Sequence, residues 1–156
     1  MKTVVIVGGN FAGLAALREL QKWQTKQHQK DRIRIVLIDK REYFEYTPGI
    51  LRLLREPDYF FHLAQELPKT NDGDSFERIQ GTVTSIVAEG TAGAITSGKK
   101  VLTYVPTSQT QSTKNLSYDY LILASGATYT EPISPANAVA GTPNTSLLGR
   151  YEEWKR

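Results

Sequence analysis

Thr3-Val4-Val5-Ile6-Val7-Gly8-Gly9-Asn10-Phe11-Ala12-Gly13-Leu14-Ala15-Ala16-Leu17-Arg18-Glu19-Leu20 is the stretch whose reading decides the fold. Its first five residues are all β-branched and do not alternate in polarity, the pattern of a strand buried on both faces of a parallel sheet. The strand stops at Gly8-Gly9. From Asn10 the pattern becomes that of an Ala- and Leu-rich helix, with Leu14, Leu17 and Leu20 on one face. A strand running through a glycine turn into a helix brings orphan backbone N–H groups and the positive end of the helix dipole to one spot, where phosphate is stabilised. In that arrangement Gly8 makes the tight turn and Gly13 lets the helix pack closely on the strand. Asn10 stands where the G-x-G-x-x-G pattern has its middle glycine. Its Cβ is expected to crowd a pyrophosphate, eased by the tolerance of Asn for unusual backbone angles.

A second β-branched run, Arg32-Ile33-Arg34-Ile35-Val36-Leu37-Ile38-Asp39, ends in an acid 26 residues after Gly13. A carboxylate at the end of the second strand can accept both hydroxyls of an adenosine ribose, as in FAD or NAD, and would repel the extra phosphate of NADP. The alternative is that Asp39 caps the following turn. Lys40 and Arg41 read as surface charges flanking the adenine. The Gln- and Lys-rich residues 23–31 read as a helix end and solvent loop, with His28 a surface residue.

Beyond Asp39, Glu42-Tyr43-Phe44-Glu45-Tyr46-Thr47-Pro48-Gly49 places three aromatics and a Pro-Gly turn on a loop leaving the carboxyl end of a strand, where ligands bind in open α/β sheets. Covering the core would equally explain those aromatics. The pattern predicts a short amphipathic helix over 50–55 and another helix over 59–67. Turn residues at 70–75 precede strand periodicity at 76–87, around Ile95 and at 101–105, expected as a small antiparallel ribbon inserted between elements of the main sheet. Leu116-Ser117-Tyr118-Asp119-Tyr120-Leu121-Ile122-Leu123-Ala124-Ser125-Gly126-Ala127 reads as a further strand delivered into small residues, the composition needed where backbone passes close to a ligand. Pro132, Pro135 and Pro143 then space a polar linker, and 145–156 reads as the start of a helix.

The chain has 156 residues with 40% hydrophobic and 22% charged residues, one domain's worth of globular sequence. The formal charge of +3 is dispersed, which argues against nucleic acid as a partner. No cysteine is present, so disulfide, thiolate and iron–sulfur chemistry are excluded within this sequence, and two histidines give no transition-metal pattern. No catalytic triad or metal-ligand spacing appears. No apolar run reaches the roughly 18 residues of a membrane span, and no targeting signal is evident, so a cytoplasmic location is expected.

Taken together, V-x-I-V-G-G-x-x-A-G-L, the Ile38-Asp39 strand end and Tyr118-Asp119-Tyr120-Leu121-Ile122-Leu123-Ala124-Ser125-Gly126-Ala127 resemble the N-terminal FAD-binding half of the pyridine nucleotide–disulfide oxidoreductase superfamily. The segment 42–52 is most similar to the apoptosis-inducing-factor-like and type II NADH:quinone oxidoreductase branch. The resemblance implies an α/β, three-layer Rossmann-like parallel sheet with a small β-ribbon insertion, incomplete at its C-terminus. It implies a cofactor-binding domain over 1–130, with the ribbon around 76–105, and a linker and helix start over 131–156 leading toward an NAD(P)H-binding domain. By position it implies FAD held by Gly8, Gly9, Asn10, Phe11, Ala12 and Gly13 at the pyrophosphate, and by Asp39 and Lys40 at the adenosine end. Tyr46, Thr47 and Pro48 would lie toward the isoalloxazine, Val83 would lie along the cofactor, and Ala124, Ser125 and Gly126 would close over it. NAD(P)H is expected only with the further domain, and a quinone-like acceptor with it.

Two residues depart from the family pattern, Asn10 for Gly and Ser125 for Thr. No cysteine pair follows the second strand, which removes the dithiol chemistry of the disulfide-reductase branch. Three functions are therefore expected to compete. The first is a FAD-dependent NAD(P)H oxidoreductase represented by its FAD-binding half. The second is a non-catalytic dinucleotide-binding remnant or subunit completed by a partner chain. The third is a free-standing NAD-binding module.

Overall fold

The structure is a computed structural model, and it describes residues 1–28, 31–70, 76–87, 100–108, 112–127, 129, 133 and 145–155. The β-branched run forms strand β1, Thr3–Val7, followed by helix α1, Phe11–Thr25, and strand β2, Arg34–Asp39. The centres of β1 and β2 are buried on both faces, as their unbroken apolar sequences require. Next come the short strand β3, Tyr43–Glu45, 3-10 helices at Thr47–Leu54 and Pro57–Tyr59, the single-turn helix α2, Phe60–Leu63, and strand β4, Ala64–Glu66. Strands β5, Phe76–Val87, β6, Val101–Pro106, β7, Lys114–Ser117, and β8, Tyr120–Leu123, then complete the sheets, and helix α3, Leu147–Trp154, closes the chain.

The main sheet has six strands in the order β7-β6-β5-β2-β1-β8. Strands β5, β2, β1 and β8 are parallel, with Val4 opposite both Ile35 and Tyr120, while β6 and β7 add antiparallel pairs. Alternate residues of β1 and β2 serve two cores. Ile6, Ile35 and Leu37 pack with Leu17 of α1. Val5, Val36 and Ile38 pack with Leu102, Tyr104 and Leu116, so the antiparallel arm curls over the second face. A third core gathers Tyr43, Ile50, Leu53, Phe60 and Leu63 beneath Leu147, Tyr151 and Trp154 of α3.

The α/β class, the mostly parallel sheet and the antiparallel ribbon agree with expectation, and three local readings change. The ribbon grows directly out of a main-sheet strand, because the first half of β5 is a parallel member of that sheet, Ile35 opposite Phe76 through Asp39 opposite Gln80. Only from Gly81 does the same strand pair antiparallel with β6, with a register shift between Val83 and Ser85. The expected strand around Ile95 lies outside the described residues. The helix expected over 59–67 is α-helical only at Phe60–Leu63, with Tyr59 ending the 3-10 helix before it; Ala64–Glu66 is extended because it pairs with β3, and Leu67 N donates to Glu42 O at 2.8 Å.

Residues 47–54 form a 3-10 rather than an α-helix, which brings Ile50 and Leu53, three apart, onto one buried face. The run 116–127 divides at Tyr118-Asp119. Leu116 belongs to β7, and Asp119 accepts from Thr3 N at 2.7 Å where the chain turns into β8. Ser146 caps α3 by accepting from Gly149 N at 3.1 Å. Of the stretch expected as a linker, 131–144, the described residues include only Ile133.

Candidate functional site

Everything at the carboxyl end of β1 follows from a close approach of backbones. Gly8 has φ +108°, and a Cβ there would lie 2.2 Å from the carbonyl oxygen of Ala124. Its N–H donates to Ile38 O at 2.8 Å while Ala124 N donates to Val7 O at 2.8 Å, so the ends of β2, β1 and β8 are stitched side by side. Gly13 lies against the same turn, where a Cβ would fall 1.7 Å from Gly8 O. The two glycines therefore fill the roles that their spacing suggested, a turn and a helix–strand contact.

Asn10 is the helix N-cap with extended backbone, φ −101°, so this position does not call for glycine. Its Oδ1 accepts from Phe11 N at 3.0 Å and its Nδ2 donates to Glu45 O at 3.4 Å. The side chain is thus engaged with the protein, and the N–H groups of Ala12 and Gly13 in the first turn have no intrahelical acceptor. Asn10→Ala is expected to destabilise the chain by about 1 kcal/mol, and Asn10→Gly by only a few tenths of that. Urea unfolding of the two variants checks the ranking.

Asp39 does two things at once. One oxygen accepts from Gly9 N, and the other accepts from Arg41 N at 2.7 Å, the turn-capping role. The carboxylate also borders a cleft of about 770 Å³ at the end of the strands, within the range of small-ligand sites. Of the residues singled out from sequence, Gly8, Asn10, Phe11, Ala12, Asp39, Thr47, Pro48, Ala124, Ser125 and Gly126 line it.

Gly9, Gly13, Lys40, Tyr46 and Val83 are not among its lining residues. Gly9 and Gly13 shape the turn from behind. Lys40 is exposed, with its carbonyl accepting from Gln80 Nε2 at 3.3 Å. Tyr46 stands beside the cleft, its ring edge-on to that of Phe11 at 5.8 Å, and Phe11 in turn meets Phe44 at 5.0 Å. Val83 packs against the arm core at the irregular part of β5.

Sequence reasoning missed Glu45 as a lining residue and read Arg41 as a surface charge flanking the adenine, whereas the Arg41 side chain is 21% exposed and lines the cleft. Glu45 is only 2% exposed. Its Oε1 accepts from Arg150 Nε at 3.3 Å and its Oε2 from Arg41 Nη1 at 3.4 Å. Burial raises the Glu45 carboxyl above its ordinary range, and the two arginines pull against that rise. Arg41 Nε is buried without a protein acceptor. The available signal was the lone acid among aromatics at 43–46, together with the two-residue step from Asp39 to Arg41.

Among the described residues no group of three or more His, Cys, Asp or Glu is placed to hold a metal ion. No described helix is long and apolar enough to cross a membrane.

The family of pyridine nucleotide-disulphide oxidoreductases matches residues 2–153. A sulfide-quinone reductase of Aquifex aeolicus is 31% identical over 129 residues, which are 80% of this chain and 24% of that protein. Two solved structures share the fold, each with a TM-score of 0.58. The sulfide:quinone oxidoreductase of Aquifex aeolicus is 24% identical, with 84% of this chain matched to 26% of its own. NDH2 of Plasmodium falciparum, solved in complex with NADH, is 20% identical, with 83% of this chain matched to 23% of its own. The chain spans about a quarter of the length of these relatives.

Proposed function

Because the chain belongs to the pyridine nucleotide-disulphide oxidoreductase family, we propose that it is the FAD-binding part of a flavoprotein that passes electrons from a reduced nicotinamide nucleotide to a quinone-like acceptor. The observation that carries this reading is the convergence of Gly8, Asp39 and Ala124–Ser125–Gly126 on one cleft, from three different strand ends. The cleft suits a dinucleotide on two counts. The first turn of α1 reaches it at Phe11 and Ala12, at the positive end of the helix dipole, and a Cβ at Gly126 would meet nothing within 4 Å, which leaves room beside that backbone.

The first turn of α1, which reaches the cleft at Phe11 and Ala12, would hold the pyrophosphate, and Asp39 would accept from the ribose hydroxyls. Thr47 and Pro48 would face the isoalloxazine, and the backbone of Ala124 to Gly126 would cover the cofactor. Bound flavin supplies the chemistry of accepting a hydride and handing electrons on, so these residues bind and orient rather than exchange protons. The quinone-like acceptor is inferred from the names of the relatives, and the nicotinamide donor from the NADH complex of the second structure. We assign 1–130 to cofactor binding and 131–156 to the passage toward a nicotinamide-binding unit, within the cytoplasm.

Titrating the 156-residue chain with FAD, followed by its visible spectrum, tests the proposal. Saturable binding near micromolar affinity, about −8 kcal/mol, is expected. Asp39→Asn should weaken it about tenfold, the cost of one lost charge-assisted hydrogen bond. A folded wild-type chain that binds neither FAD nor ADP-ribose overturns the assignment.

The edge of the main sheet favours a second reading, a dinucleotide-binding subunit completed by another chain. Tyr120 of β8 is 53% exposed and lines a groove together with Leu20, Trp23, Ile33 and Ile122. Sedimentation of the isolated chain as a stable monomer that binds FAD tightly argues against it.

A further inference from the structure

Arg150 of α3 is 1% exposed, although it carries a permanent charge. All three guanidinium nitrogens are used: Nε donates to Glu45 Oε1 at 3.3 Å, Nη1 to Glu153 Oε2 at 2.9 Å, and Nη2 to Ile133 O at 3.1 Å. Two of these acceptors belong to residues that line the cleft, Glu45 on one side and Ile133 on another. From Glu45 the connection continues, because its backbone oxygen accepts from Asn10 Nδ2 and Asn10 Oδ1 caps Phe11 N. A second tie binds the same segment to α3, with Glu42 Oε1 accepting from Leu147 N at 3.0 Å and Glu42 N donating to Thr145 O at 3.1 Å.

Coverage of the third core does not explain this arginine. Leu147, Tyr151 and Trp154 already supply the apolar face of α3, and a buried ion pair replaced as a whole by apolar residues of similar volume is commonly neutral or stabilising, so burial alone does not call for an arginine here. What a guanidinium adds is direction, since its planar fork holds its acceptors at fixed angles. We propose that Arg150 is a positioning residue of the cleft, setting Glu45 and Ile133 in place from α3 and, through Glu45 and Asn10, the start of α1. Its bearing on ligand affinity rests on the dinucleotide reading above; its bearing on the turn does not.

Amide hydrogen exchange of the wild-type chain, Arg150→Met, Arg150→Lys and Glu45→Gln tests it. In Arg150→Met the Phe11 amide should exchange about tenfold faster by local opening, while the amides joining β5 to β6 keep their wild-type rates. Arg150→Lys, which retains the charge and loses the fork, should fall between. Glu45→Gln keeps the shape of its site and should show the same local pattern, which decides the matter if Arg150→Met does not fold. FAD affinity should drop about tenfold in Arg150→Met, measured well below its melting temperature.

Unchanged exchange at Phe11, or equal acceleration at all amides, overturns the proposal, as does undiminished FAD affinity in the variant. Failure of the wild-type chain to bind FAD would remove the dinucleotide reading, and the exchange pattern would still decide the role of Arg150.

Discussion

Gly13→Ala is expected to lower the melting temperature of the chain by about 10 °C or more, although alanine is the better helix former by about 1 kcal/mol. The new Cβ would fall 1.7 Å from the carbonyl oxygen of Gly8 and 2.9 Å from its carbon, both backbone atoms. That carbonyl has nowhere to go, because Gly8 N–H is bonded to Ile38 O and the residue is already at φ +108°. The alternative is for α1 to lift from β1, which opens the packing of Leu17 on Ile6. Overpacking alone costs about 1–3 kcal/mol, and a displaced helix brings the total to about 4 kcal/mol, the scale of the severest single substitutions. Scanning calorimetry checks this against Gly126→Ala, where no atom lies within 4 Å of the new Cβ and only the φ of +70° is strained, at about 1–2 kcal/mol. Equal melting of Gly13→Ala and wild type would show that the turn and helix are not in contact.

Glu45→Leu is expected to cost about 3–5 kcal/mol, the penalty for leaving a buried charge without its partner. Arg150 would keep Glu153, whose side chain is 37% exposed, and lose the one buried carboxylate it touches. Adding Arg150→Met should recover part of the loss, since it removes the more deeply buried of the two arginines that Glu45 pairs with, while Arg41 stays without its carboxylate. Urea unfolding of the two single variants and the double variant gives the coupling directly. A double variant as unstable as the sum of the singles would mean that the two residues act independently.

Legibility in the sequence followed the range of the interactions. Thr3–Val7, Asn10 with the helix behind it, and Asp39 at a strand end could be read because each depends on neighbours a few residues away. Residues 64–66 could not, since their apolar spacing suits a helix and only the pairing of Ala64 with Glu45 makes them a strand. The division of β5 was equally hidden, because nothing in 76–87 says that Gln80 has a parallel neighbour on one side and Gly81 an antiparallel one on the other. At the candidate site, the residues on the glycine turn and at the two strand ends were accessible as motifs. Glu45 and Arg41 were not, because a buried carboxylate between two arginines depends on α3, about a hundred residues further along the chain.

The pairing of β1 with β8 has a consequence for the order in which the molecule assembles. Thr3 N–H meets the Asp119 carboxylate across 116 residues, whereas β6 and β7 are joined by a short connection. Chain-closure entropy grows with the logarithm of the loop, and sheets that depend on such distant partners form slowly. The antiparallel arm and the β1–α1–β2 unit can each form locally, but the Gly8 turn meets Ala124 only when the longest loop has closed. A ligand gripping both sides of that seam therefore binds only the finished sheet, and its free energy of binding adds to the last step of folding.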